Sequence, residues 1–198
     1  MAASDLLVDP AVSRAKFDRE VASYKEYEDV YIRGGWWLLR AEFPQVFIVF
    51  GTPSLKPPAV AFGALLDFTN YDFWPPSVRL VDPFTQEPYR GRELPNLLKR
   101  RVPAQLDAQL AGLGQAFVEQ PLMQFHDPED VPFLCLPGVR EYHEHPGHSG
   151  DSWLLHRGSG EGTLHHILEV LHKYGVQPLS GYQLGMRVTG FSQQVVPE

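Results

Sequence analysis

The sequence predicts an α+β domain: an antiparallel sheet of about four strands, flanked by helices near residues 9–28 and 163–174. Three observations predict it. Apolar residues recur at helical spacing near both ends of the chain. Between them lies a run of β-branched and aromatic segments divided by short Gly- and Pro-containing turns, the pattern of an antiparallel meander. The 198 residues, 43 % hydrophobic and 21 % charged, suit one globular domain with a full core.

The first helix starts at Asp9, a good N-cap, followed by Pro10 at the first helical position. Phe17, Val21 and Tyr24 then share a face, and Gly34-Gly35 ends the pattern. Trp36 to Phe43 and Gln45 to Phe50 read as strands, the second stopped by Gly51-Thr52-Pro53. After the Lys56-Pro57-Pro58 turn, Ala59 to Phe68 alternates with Val60, Phe62, Ala64, Leu66 and Phe68 on one side. Trp74-Pro75-Pro76 is a stop, and Val78 to Val81 is a short fourth strand. Residues 82–131 form a long insertion with a helix in it, on Leu106, Leu110, Leu113 and Phe117. Gly158 to Gly162 reads as a flexible lead-in to the last helix. Leu164, Ile167, Leu168 and Leu171 line that helix, and Gly175 stops it. Residues 176–198 are a tail, with a strand near Tyr182 to Val188. The expected organisation is one domain over 1–198 with its core at 9–175.

Charge and cysteine usage narrow the function. A formal charge of −7 repels phosphate backbones, and Lys99-Arg100-Arg101 is too short a basic cluster to reverse that, so no nucleic-acid partner is expected. No apolar run approaches the roughly 20 residues that span a bilayer, so no membrane association is expected. The N-terminal residues lack the pattern of a signal peptide, and the single cysteine excludes an intramolecular disulfide. Cytoplasm is the expected compartment.

The chemistry concentrates between Cys135 and His148. A thiol, two carboxylates and three imidazoles fall in Cys135 and Glu141-Tyr142-His143-Glu144-His145-Pro146-Gly147-His148. Thiolate and imidazole suit zinc, and a carboxylate can complete or serve such a site. On an extended chain His143, His145 and Glu141 point to one side, and Glu144 points away. The Pro146-Gly147 turn can return His148, and Leu136-Pro137-Gly138 can bend Cys135 toward them. Cys135 is thus expected as a ligand, with two or three more from Glu141, His143, His145 and His148. His165, His166 and His172 belong to the surface or boundary of the last helix. His126 and His156 have no evident partners. There is no G-x-S-x-G elbow, P-loop or G-x-G-x-x-G.

Two resemblances add to this reading. The order of elements, the stretch Phe62 to Leu80 with Trp74-Pro75-Pro76-Ser77-Val78-Arg79-Leu80, the segment Phe133-Leu134-Cys135-Leu136, and Trp153-Leu154-Leu155 before the last helix together resemble the ubiquitin-conjugating enzyme fold, loosely over residues 9–175. That family carries His-Pro-Asn before its cysteine. His126-Asp127-Pro128-Glu129-Asp130 stands here instead, without the asparagine that supports the oxyanion. The run from Cys135 to Trp153 is similar to a prokaryotic family of predicted metal-binding proteins named for Cys, Glu, His and His, linked to bacterial ubiquitin-like conjugation. The resemblance implies zinc as the cofactor and a ubiquitin-like modifier or its conjugation machinery as the partner. Two alternatives stay open. One is a zinc hydrolase that removes a modifier, with Glu141 or Glu144 as general base. The other is a conjugating enzyme using Cys135 as thioester nucleophile, its thiolate favoured by His143 or Arg140.

Overall fold

A computed structural model describes residues 7–96, 98–103, 117–148 and 151–183. Helix α1 spans Pro10–Glu26, and the Asp9 carboxylate accepts from the Ala11 N–H at 2.8 Å, as its N-cap position requires. A short α2, Glu28–Arg33, leads through Gly34 and Gly35 into the sheet; Gly35 has φ 86°, where a side chain would be strained. Strands β1 (Trp36–Glu42), β2 (Gln45–Thr52), β3 (Ala59–Asp67) and β4 (Ser77–Val81) form one antiparallel sheet in that order.

The core lies on one face of this sheet. Val46, Ile48 and Phe50 from β2 and Phe62, Ala64 and Leu66 from β3 are buried there. Phe17, Val21 and Tyr24 of α1 pack into the same cluster, with Leu164, Ile167, Leu168 and Leu171 of the last helix. The two long helices therefore share one face. The period-two and period-3.6 stripes of the sequence meet as expected.

Two local departures have a common cause. Val60 belongs to the expected stripe but is exposed, and Leu39 is exposed inside β1. The β2–β3 register slips between Phe50 and Gly51, and the β1–β2 register slips between Leu38 and Arg40. Each slip adds one residue to one strand, and beyond it the strand's faces exchange.

The insertion is built differently from expectation. β5 (Lys99–Pro103) and β6 (Phe117–Pro121) pair as a hairpin, and β7 (Met123–Gln124) pairs with β8 (Phe133–Leu134). Phe117, expected in a helix, lies in β6; the rest of that expected helix, 104–116, lies outside the described residues. Leu98, Leu122, Met123 and Leu134 from this region join the main core. After β8 come α3 (Arg140–Glu144), α4 (Trp153–His156) and α5 (Leu164–Gly175). Thr163 caps α5, its hydroxyl accepting from the His166 N–H. Of the strand expected near 182–188, residues 182 and 183 are not in a strand, and the remainder lies outside the described residues. Among the described residues no helix is long and apolar enough to cross a membrane.

Candidate functional site

The candidate segment is helical at its centre, not extended. Cys135 leaves β8, the chain turns through Leu136-Pro137-Gly138, and α3 carries Arg140 to Glu144. The parity expected for Glu141, His143 and His145 therefore does not apply. Tertiary contacts decide this local structure. Val139 is fully buried, the Arg140 N–H donates to the Pro76 carbonyl at 3.0 Å, and the Arg140 guanidinium donates to the carbonyls of Thr69 at 2.6 Å and Pro75 at 3.3 Å. Arg140 thus ties α3 to the loop between β3 and β4, away from a role beside the thiol.

The five expected donors are distributed over several tasks. Cys135 is buried, and its N–H donates to the Leu122 carbonyl at 2.7 Å. Burial pushes its thiol up, partly opposed by the positive charge of Arg100. Glu141 turns to the outer edge of β4. It accepts from the Ser77 hydroxyl and from the Val78 N–H at 3.3 Å, and it pairs with Arg79 at 3.2 Å. The two ring nitrogens of His143 face the carbonyl oxygens of Asp151, at 2.8 Å, and Pro137. Both are turned to backbone acceptors, so the ring staples the turn after Cys135 to the start of α4. His148 closes a short 3-10 turn over Pro146–His148. Glu144 is exposed.

His145 is arranged otherwise. It sits just past α3, where the chain becomes extended (φ −76°, ψ 129°). Its ring stacks on Phe133 with centroids 4.9 Å apart, and its Nε2 lies 3.2 Å from Nε2 of His126. Both imidazoles line a cavity of about 350 Å³ whose other walls include Pro121, Met123, Gln124 and Phe125. The partner of His145 was not visible in the sequence, because His126 lies 19 residues away on the loop after β7. Among the described residues no group of three or more His, Cys, Asp or Glu side chains is placed to hold a metal ion.

The sequence model of the Y4jH-like (Y4jH) family matches residues 8–179. The chain belongs to the Y4jH-like family. It is also similar to protein y4jH of Sinorhizobium fredii (strain NBRC 101917 / NGR234), with 46 % identity over 185 residues, 91 % of this chain and 90 % of that protein. The Cys135–Trp153 run falls wholly inside the span shared with the Y4jH-like family.

A second cluster in this Y4jH-like domain escaped the sequence reading. His156, expected without a partner, bridges two carboxylates: Nε2 lies 2.5 Å from Asp151 and Nδ1 lies 2.5 Å from Glu161. Asp151 also accepts from the Tyr142 hydroxyl. The lead-in to α5 is packed at its end, where a Cβ on Gly162 would come within 2.5 Å of the Trp153 ring, and open at Gly158 and Gly160. The hydrogen bond to Asp151 raises the His156 pKa, with Glu161 adding to it, and hydrogen bonds from Tyr142 and His156 lower that of Asp151.

These shifts set a pH window. A histidine raised in the folded state contributes stability that is fully present below its unfolded pKa, about 6.5, and is lost as pH rises through the folded value. A depressed aspartate contributes above its unfolded pKa, about 3.9, and loses that contribution as pH falls through its folded value. Burial lowers the His172 pKa, which works the other way, but His172 is common to both proteins in a comparison of wild type with His156→Gln. The melting-temperature advantage of wild type should therefore be largest near pH 5–6 and shrink as pH rises toward 9. An advantage independent of pH would mean that the imidazolium between two carboxylates is not what holds α4.

Proposed function

We propose that this Y4jH-like protein is a cytoplasmic zinc-binding domain whose ion is held through the Cys135–His148 segment, and that it serves a bacterial ubiquitin-like modification system. The observation that carries the metal reading is His145. Its ring faces a second imidazole at the wall of a cavity, whereas both ring nitrogens of His143 face backbone carbonyls. Imidazole is a preferred zinc donor, and thiolate is another, so the segment's residue types fit the ion. The partner class rests on the likeness of the 9–175 layout to conjugating enzymes and of the 135–153 run to the Cys-Glu-His-His family.

Cys135 is better suited to a ligand or core role than to thioester transfer. A buried thiol with a raised pKa is a weak nucleophile at neutral pH, and no oxyanion asparagine precedes it in sequence. Elemental analysis of untagged protein, purified without added metal, tests the proposal. Wild type should carry about one zinc per chain, His145→Ala should lose it, and His165→Ala should keep it. Wild type that is metal-free and takes up no zinc would overturn the reading.

A further inference from the structure

The geometry points to a ligand outside the motif: we propose that His126 and His145 together chelate one divalent transition-metal ion at the wall of the cavity between them. The proposal rests on the metal reading above and names the residue that completes it from a different loop. The two Nε2 atoms are 3.2 Å apart, and the rings lie nearly parallel, 22° between planes, with centroids separated by 5.4 Å. Two imidazole nitrogens on one tetrahedral zinc, each about 2.0–2.1 Å from the metal, stand about 3.3 Å from each other. The separation of the two nitrogens is therefore already that of a shared ion.

The proton inventory of His145 gives the proposal a signature. Its Nδ1 accepts from the Gly147 N–H at 3.1 Å, so in the metal-free ring the hydrogen sits on Nε2 and points at His126. For Nε2 to ligate a metal its hydrogen must leave; the neutral ring then carries its one hydrogen on Nδ1, which can no longer accept from Gly147. Loading the site thus releases the Gly147 N–H. Stacking on Phe133 fixes the plane of His145 from the other side. The cavity between Met123, Phe125 and Phe133 gives an incoming group access to the ion. The ion would also tie the loop after β7 to the turn after α3.

Zinc chloride titrated into chelator-stripped, untagged full-length chain by calorimetry, with the amide spectrum of Gly147 followed by NMR, tests this. Wild type should bind one zinc, and the Gly147 amide should shift as its bond to Nδ1 is lost. His126→Ala should bind at least about a hundredfold more weakly, since loss of even an outer-shell partner costs about 10–100-fold. His126 is exposed, so this variant is expected to fold, and an unchanged melting curve without metal checks it. Undiminished zinc binding by His126→Ala, or a Gly147 amide that does not respond to bound zinc, overturns the proposal while the metal reading stands. A wild-type chain that binds no zinc overturns both.

Discussion

Gly138→Ala is expected to destabilise the domain by about 3 kcal/mol or more, lowering its melting temperature by about 10 °C. Gly138 lies in the turn between Cys135 and α3. A Cβ there would overlap the backbone carbonyl of Glu161 and crowd the N–H of Gly162. Backbone cannot rotate aside as the tip of a side chain can, so one of the two segments must move. Glu161 is held by His156, and Gly162 by the Trp153 ring, which donates its indole N–H to the Asp72 carbonyl at 3.2 Å. The displacement would therefore pass from the Cys135 turn into α4 and the start of α5. Gly158→Ala is the matched control, because no atom lies within 4 Å of its added methyl. Thermal denaturation of the two variants should separate them clearly. A Gly138→Ala protein that melts with wild type would mean these segments are not packed together.

Glu141→Ala should cost about 2–3 kcal/mol, the second largest effect. The carboxylate is only 11 % exposed and takes on three donors at the edge of the sheet: the Ser77 hydroxyl, the Val78 N–H and the Arg79 guanidinium. Strand β4 is the last strand of the sheet, and its outer donors need partners. Truncating Glu141 leaves a half-buried hydroxyl and a cation without their acceptor, which costs more than the intact bonds contribute. Part of the loss should be recovered in the double variant Arg79→Met/Glu141→Ala, where the orphaned charge is gone. Denaturant unfolding of the four proteins of this cycle reads the coupling. Additive effects would show that Arg79 and Glu141 act independently.

The sheet and the long helices were legible because their information is local. Asp9-Pro10, the stripe Leu164-Ile167-Leu168-Leu171 and the alternation through Phe62, Ala64 and Leu66 each encode an element within a few residues. The bulges at Leu39 and Ala61 were not legible, since their flanking sequence keeps the strand pattern and only the pairing shows the slip. Helix α3 was misread as extended because contacts to Thr69, Pro76 and Ser77, some 65 residues earlier, fix it. The site shows the same division. The residue types from Cys135 to His148 singled out a segment, but what each side chain contacts depended on partners elsewhere in the chain. Glu141 found β4, His143 found Pro137 and Asp151, and His145 found His126. One signal was available and unused: Asp151, His156 and Glu161 recur every five residues in a polar stretch. That places an imidazole between two carboxylates, given any compact turn.

The central claim is that the Cys135–His148 region holds a transition metal through imidazole, and zinc K-edge X-ray absorption on the protein as purified tests it most directly. The account predicts a zinc edge with nitrogen neighbours at about 2.0–2.1 Å, the multiple-scattering pattern of imidazole rings, and a further shell near 2.3 Å if the Cys135 thiolate joins. An absent edge, or an oxygen-only shell without imidazole scattering after zinc is supplied, would contradict it.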